Sequence, residues 1–558
     1  MRKVLSYISV LLIAGCASQT TPTGGPKDET PPKLLQSYPP DQSLNFAENK
    51  IELVFDEYVK VQKHKEQIII TPSIEGEYEI IAKKNKVFMT FKEEFEENTT
   101  YTINFREAIQ DITENNPAEN LKLTFSTGSY IDSLEVSGKV FDVLGLPLGD
   151  NVNIGLMRLI DTLNIFDYRP MYFGKTDKQG EFTLQNIKPG NYRLYAFNDI
   201  NKNLKVDSKN EAYGFLSDTL KLFRNYDSVA LGLFKLDARI LKVNSARQTG
   251  TFFATKLSKG ITEYAIDFDG LDSLYVHHLA ESNSAIRIYP YDKVTDSVKF
   301  RLYAKDSIGF KIDTVLYYKV DFESRRIPEN WELKTEASNI FVERRILQKK
   351  FSSSKPIIKL NIDSIYLFID STRTLTFNKE YLKLDTADNS VLFRVELDKA
   401  DVDSLLRGPK ADPRAARGES LKQVNPFLYF GKGALISIEK DSSKVYKENP
   451  KQISYTNTGT IITEVQSTSK SYIIQVIDNR NRLIAEERNN PKAIFRYLNP
   501  GDYRIRVLID QNENGKWDMG NYFKNEIPEP VYIYKNSEGS ETIKLLANWE
   551  IGPLVLTF

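Results

Sequence analysis

Two stretches of the chain place oxygen-bearing side chains at alternate positions. One is Asp510-x-Asn512-x-Asn514-Gly515-x-Trp517-Asp518, and the other is Asp199-x-Asn201-x-Asn203-x-x-x-Asp207. Side-chain oxygens at loop positions 1, 3, 5 and 9, with a backbone carbonyl at position 7, are what a Ca2+ loop presents. The position-7 carbonyls belong to Lys516 and Lys205. Gly515 stands where such a loop turns sharply; Leu204 replaces it in the other copy, which weakens that site. Position 12 holds Asn521 or Asn210 in place of the usual Glu. With two carboxylates per loop, the expected affinity is modest and the expected ion structural, stiffening a loop without activating water. The same spacing also builds turns without metal, because Asp and Asn accept left-handed geometry and bond their own backbone. The sequence leaves both readings open.

Other chemistry has little material to work with. The 558 residues include three His and one Cys, too few for a zinc ribbon or a disulfide framework. His277 and His278 are adjacent, so on a strand they face opposite sides. Asp56 and Glu57 make a poor acid/base pair for the same reason. No nucleophile elbow, zinc-peptidase helix, P-loop or dinucleotide fingerprint occurs. Lys+Arg and Asp+Glu are equal at 75 each, which argues against a nucleic-acid partner, since phosphate binding draws on a basic surface.

The single cysteine ends a short apolar run. Arg2 and Lys3 precede Val4–Ile13, followed by Ala14-Gly15-Cys16. A basic head and an apolar core of this length form a secretory signal, shorter than the ~20 residues of a membrane-crossing helix. The sequence Ile13-Ala14-Gly15-Cys16 resembles the bacterial lipobox. That resemblance implies cleavage before Cys16 and an N-terminal lipid on its sulfur and amine, with two or three acyl chains, palmitate among them. Two or more chains give stable anchoring. Residues 1–15 are then the signal peptide and 16–32 a Thr/Pro/Gly-rich lipidated tether.

The elements that must position any site are strands. Alternation at period two recurs at Ile51/Leu53/Phe55, Val87/Met89/Phe91, Val298/Phe300/Leu302, Ile358/Leu360/Ile362 and Val391/Phe393/Val395/Leu397, the pattern of half-buried antiparallel strands. The best helix candidate is Leu397–Arg407, stopped by Gly408-Pro409. Residues 408–426 read as a long exposed loop carrying Lys410, Arg414, Arg417 and Lys422. The expected fold class is all-β, with tandem β-sandwiches in series.

Residues 33–130, with Pro31-Pro32, Tyr38-Pro39-Pro40-Asp41, Ile51–Glu57, Asn98–Ile103 and Phe125–Gly128 in order, resemble the bacterial Ig-like domain of surface-layer proteins and Bacteroidota lipoproteins. Residues 131–232, with Gly138–Asp142, Gly145-Leu146-Pro147, Thr176–Phe182 and Pro189-Gly190-Asn191-Tyr192, are similar to the carboxypeptidase regulatory-like, or transthyretin-like, β-sandwich. Residues 187–207 and 498–518 align without a gap and share nine of 21 positions, so 451–558 reads as a second copy. Length and periodicity suggest a β-sandwich at 233–338 and another Ig-like one at 339–450.

The whole chain resembles the Ig-like-domain lipoproteins of Bacteroidota. The resemblance implies a non-catalytic, outer-membrane lipid-anchored scaffold or accessory subunit, probing outward from the cell surface or lying on the periplasmic face. Its partners would be the membrane, through the lipid, and outer-membrane or envelope proteins. Five domains of ~13 Å radius of gyration in a row would span on the order of 150 Å. Two other readings stand beside this one. A glycan-binding adhesin would gather aromatics such as Trp331, Trp517 and Trp549 on one concave face. A surface hydrolase would need converging carboxylates in the middle domains.

Overall fold

The computed structural model describes the chain from residue 28 onward, apart from 75, 150–151, 161–162, 208–209, 293, 295, 320–328, 371–372, 387 and 408–424. Cys16, the signal peptide and the basic stretch 408–424 therefore lie outside the described residues. What is described is all-β: tandem sandwiches of short, almost wholly antiparallel strands. Among the described residues no helix is long and apolar enough to cross a membrane.

Period-two alternation translates directly into buried faces. Ile51, Leu53 and Phe55 on Lys50–Phe55 are all buried, as are Val87, Met89 and Phe91 on Lys86–Phe91. Cross-strand pairing sets Ile51 opposite Met89 and Leu53 opposite Val87, so each apolar face is continuous across the ladder. Five buried clusters follow one another along the chain: Phe46 to Phe125, Val136 to Leu233, Leu241 to Tyr318, Ile340 to Leu435, and Ile461 to Leu556.

One alternation is misread by the sequence. Ile357–Leu360 is a strand, but its register against Leu435–Ser437 shifts between Ile357 and Lys359. The bulge spends an extra residue, so Ile357 is buried while Ile358 is 45% exposed. Ile362 is buried from a short 3-10 turn, Ile362–Ser364, instead of from the strand. The helix spans Lys399–Arg407.

The first compact unit holds the described residues to Phe141, then Leu148–Asp207 and Glu211–Leu233. Its first sandwich faces a four-stranded sheet (Leu34–Tyr38, Lys50–Phe55, Lys86–Phe91, Tyr78–Lys83 in spatial order) against a three-stranded one (Ile69–Thr71, Thr100–Asn104, Lys122–Ser126). Its second sandwich has eight strands. Gly190–Phe197 lies in a five-stranded sheet between Asn153–Arg158 on one side and Tyr213–Phe215 and Leu220–Leu222 on the other. Leu134–Asp142 lies between Glu181–Ile187 and Tyr226–Leu233 in the facing sheet.

The second unit is chiefly Phe234–Phe558. Its last sandwich repeats the eight-strand order just described, with Gly501–Ile509 in place of Gly190–Phe197 and Gly459–Gln466 in place of Leu134–Asp142. The strand Leu333–Thr335, placed with the third sandwich by sequence, pairs instead with Ile346–Ser353 of the fourth. The fourth closes by a parallel pairing of Asn339–Phe341 with Lys451–Ile453. The last closes by a parallel pairing of Gly459–Gln466 with Glu550–Thr557.

Within this unit the sandwiches do not form the single file expected of independent domains. The third meets the fourth through Phe252, Ala254, Tyr289 and Ile438. It also meets the fifth, where the Asn521 Nδ2 donates to the Ile308 carbonyl at 2.7 Å and Phe523 packs edge-on against Phe310. The fourth meets the fifth where Phe341 packs edge-on against Tyr497 at 5.3 Å, and Tyr455 of the connecting segment stacks on the same ring.

Among the described residues of this unit three lysines are buried, each on a carboxylate. Lys259 pairs with Asp306, Lys349 with Glu448, and Lys355 with Glu439 and Asp441. The Lys259–Asp306 pair is the most enclosed, with side chains 4% and 1% exposed. Lys259 also donates to the Asp237 carbonyl, and Asp306 accepts from the amides of Ile308 and Phe310. Removing one partner of such a pair strands the other charge in a low-dielectric interior. Lys259→Met is therefore expected to cost about 3–5 kcal/mol of unfolding free energy. Asp306→Asn in the same background should recover part of it, and equal loss in single and double variants by denaturant titration would disprove the pairing.

Candidate functional site

Both Asx loops spring from the same supersecondary unit. In each copy a Pro-Gly step leads into a strand whose tyrosine folds back on the turn. The Tyr192 hydroxyl donates to the Lys188 carbonyl at 2.8 Å, and the Tyr503 hydroxyl donates to the Asn499 carbonyl at 2.6 Å. The two rings are buried, so this bond fixes where the strand starts and, a strand-length later, where the loop emerges. The shared Pro, Gly and Tyr of the repeat are thus the residues that aim the loop.

The structure brings the predicted residues of each loop together. In the second copy, Asp510 accepts from the amides of Asn514 (3.1 Å) and Gly515 (2.8 Å) and from the Ser471 hydroxyl (2.6 Å). The Nδ2 atoms of Asn512 and Asn514 both donate to one oxygen of Asp518, at 2.8 and 2.7 Å. Their Oδ1 atoms accept from the amides of Asn514 and Lys516. The first copy repeats this: Asp199 accepts from Asn203 and Leu204, and Asn201 and Asn203 donate to Asp207. Leu204 takes a positive φ of 61°, the geometry Gly515 adopts freely at 83°.

Each loop is also gripped by a buried glutamate that the ungapped repeat does not reveal. Glu529 accepts from the amides of Gln511, Asn512 and Asp518. Glu211 does the same for Ile200 and Asp207. They hold equivalent points of the two loops but follow Asp518 and Asp207 at unequal distances in sequence, so spacing alone could not pair them. Asn521, at loop position 12, is turned away: its Oδ1 caps the amides of Phe523 and Lys524.

As a donor set for calcium, each loop offers two carboxylates, two amide oxygens and one carbonyl. That is one short of the six oxygens calcium needs at minimum, so water would complete the shell and the Asn amides would have to turn their oxygens inward. As the loops stand, their own hydrogen bonds close them. Among the described residues no group of three or more His, Cys, Asp or Glu side chains is placed to hold a metal.

The remaining candidates are dispersed. The His277 Nδ1 shares a hydrogen bond with the Tyr264 hydroxyl, whereas the His278 ring stacks on Tyr289 and its Nδ1 bonds the Leu279 carbonyl. Burial pushes both imidazoles below the usual histidine range, so they stay neutral at pH 7. Asp56 caps the amide of Lys33. Burial, then the neighbouring Asp111, Asp28 and Asp56 charges, raises the Glu57 carboxyl. Asp177 closes its Asp-x-x-Gly turn by accepting from Gln179 and Glu181. The tryptophans do not share a platform: Trp331 bonds the Ser353 hydroxyl, Trp517 the Glu529 carbonyl, and Trp549 is exposed.

Residues 28–127 match the bacterial Ig-like domain family. No curated protein matches the chain. Among solved structures the chain is similar to BcpA, the major pilin subunit of Bacillus cereus, at 12% identity over 76% of this chain and 98% of the pilin, with a TM-score of 0.12. It is similar to the S-layer protein rSbsC(31-844) at 9% identity over 91% of this chain and 67% of that one, with a TM-score of 0.13. It is also similar to the Bacteroides ovatus mixed-linkage glucan utilization locus protein SGBP-B, solved with a mixed-linkage heptasaccharide, at 8% identity over 73% of this chain and 93% of that one, with a TM-score of 0.14. Scores this low carry no further argument.

The Asp510 carboxyl sits between opposing influences. Burial alone would raise it, but the Ser471 hydroxyl and the amides of Gly515, Asn514 and Glu513 outweigh burial and hold it below the usual carboxylate range. A depressed folded-state pKa stabilises above the unfolded value near 3.9 and loses that contribution as pH falls through the folded value. Thermal melts should therefore show the last sandwich weakening below about pH 4, with the step absent in Asp510→Asn. Glu529→Ala leaves three loop amides without their acceptor and should cost roughly 1–3 kcal/mol; an unchanged melting curve would show that water replaces the glutamate.

Proposed function

We propose that the protein is a non-catalytic, lipid-anchored scaffold of a Gram-negative cell envelope, presenting its sandwich surfaces to outer-membrane or envelope proteins. The observation that carries this reading is how the buried polar groups are used. Asp111, Asp306, Asp510, Glu211 and Glu529 all accept backbone amides, and the buried lysines are paired. Groups that could do acid/base work are spent on holding loops and sheets. The bacterial Ig-like match at residues 28–127 and the lipobox-like run ending in Cys16 support the location.

In the same reading Ca2+ is a structural ion of the Asp510 loop, and less strongly of the Asp199 loop. Support comes from the loop gathering Asp510, Asn512, Asn514 and Asp518 together, so that turning the two Asn amides would present their oxygens beside the carboxylates. Adding millimolar calcium after chelation should raise the melting temperature of the wild-type protein and leave Asp518→Ala unmoved. Identical melts with and without calcium would remove the ion from the reading.

The anchor is tested by labelling cells with an alkyne analogue of palmitate. The wild-type chain should take up label and sediment with membranes, whereas Cys16→Ser should lose the label and enter the soluble fraction. A soluble wild-type chain with a free thiol would overturn the scaffold reading. Affinity purification from detergent extract should co-purify outer-membrane proteins.

A further inference from the structure

The two eight-strand sandwiches share a feature besides their loops. In the first, Leu134 pairs with Ile187 and Val136 with Leu184, so Gln185 and Asn186 stand against Glu135 alone. In the second, Gly459 pairs with Leu498 and Ile461 with Phe495, so Arg496 and Tyr497 stand against Thr460 alone. Each is a β-bulge, and each falls immediately before one of the shared segments, 187–207 and 498–518. A bulge bends its strand and re-aims a side chain. Asn186 and Tyr497 both take a left-handed backbone, at φ 57° and 60°.

In each compact unit the re-aimed side chain reaches the sandwich that comes before its own. In the first unit the Asn186 Nδ2 donates to the Thr102 hydroxyl at 2.8 Å, on strand Thr100–Asn104 of the first sandwich. In the second unit the Tyr497 ring packs edge-on against Phe341 of the fourth sandwich at 5.3 Å and stacks on Tyr455 of the connecting segment at 5.0 Å. The Arg344 guanidinium lies over the same ring, 5.2 Å from its centre. The Glu343 Oε1 accepts the Tyr455 amide at 2.9 Å, which seats the stacking partner on the fourth sandwich. Equivalent residues at equivalent bulges thus join each eight-strand sandwich to its predecessor.

The two residues meet the demand of the bulge differently. Asparagine enters the left-handed region readily, whereas a bulky side chain there is an outlier. Among the described residues Tyr497 is the one aromatic with a positive φ. A Cβ biases the backbone against this conformation by about tenfold. The ladder itself would accept an asparagine, as the first copy shows. What the tyrosine adds is a half-buried ring seated on Phe341, Tyr455 and Arg344. A strained backbone persists only where its surroundings over-determine it, and here those surroundings include a second sandwich.

We propose that the bulge at Tyr497 is a strained latch: the seat of its ring on the fourth sandwich holds the backbone in a form it leaves once undocked, so that parting the fourth and fifth sandwiches also loosens strand Lys492–Leu498. The inference goes beyond the scaffold reading and stands without the lipid anchor. Hydrogen exchange read by mass spectrometry on the full chain tests it. Tyr497→Ala and Tyr497→Gly both remove the ring, but only alanine keeps the Cβ that resists the left-handed backbone. Exchange in Lys492–Leu498 should be about tenfold faster in Tyr497→Ala than in Tyr497→Gly, the reverse of the order in an ordinary strand, where glycine is the weaker residue. Tyr497→Asn, which copies the first sandwich, should fold and exchange like Tyr497→Gly. Tyr455→Ala should speed exchange of the same strand while Tyr497 is present and change nothing in the Tyr497→Gly background. Exchange in Tyr497→Gly as fast as or faster than in Tyr497→Ala, or a strand indifferent to Tyr455→Ala with Tyr497 in place, would overturn the proposal.

Discussion

Every loop that leaves a sheet carries amide groups with no ladder partner, and a buried amide without an acceptor is costly. In this chain carboxylates meet that demand. Asp111 is fully buried and takes the amides of Glu114, Asn115 and Asn116. Burial alone would raise its carboxyl, yet those bonds hold it below the usual range. Asp177, Asp306, Asp478, Glu211 and Glu529 repeat the device at other crossings. A carboxylate with four lone-pair sites can serve several amides at once, so one acidic residue per turn suffices to order a loop. In these residues the carboxylate serves the fold.

The two copies show the same device under drift. Pro189-Gly190 and Pro500-Gly501 stay, as do the tyrosines that donate to the carbonyls just before them, of Lys188 and Asn499, because that bond sets the register of the central strand. The eight-strand order is kept throughout, although outside the shared segment the sequences have parted. What must be kept is an acceptor at a point in space, and the chain may supply it from any distance along its length. Glu211 and Glu529 illustrate this: same contacts, different sequence intervals.

How much could be read without coordinates follows the same division. Strand alternation at Ile51/Leu53/Phe55 or Val391/Phe393/Val395 was legible because a half-buried ladder forces period two. It failed at Ile357–Leu360 because a bulge adds a residue that pattern reading does not count. The loop residues Asp510 to Asp518 were legible as a convergent set because they are local. The glutamates Glu211 and Glu529 were not, since they join their loops from unequal intervals along the chain and no short-range spacing relates them. The contacts among the third, fourth and fifth sandwiches were hidden for the same reason: Phe310 and Phe523, or Tyr455 and Tyr497, meet only through the fold.

The parallel closure of the fourth sandwich has a mechanical side. Two of its strands near its ends, Asn339–Phe341 and Lys451–Ile453, run side by side in the same direction. A pull that reaches them past Leu333–Thr335, the strand by which the chain enters this sandwich, would drag the two strands past each other lengthwise. All bonds of the ladder would then bear load together instead of parting one by one as in a zipper. The last sandwich has the same arrangement between Gly459–Gln466 and Glu550–Thr557, along a longer ladder. Tension along the polypeptide therefore meets these two sandwiches in their stiffest direction.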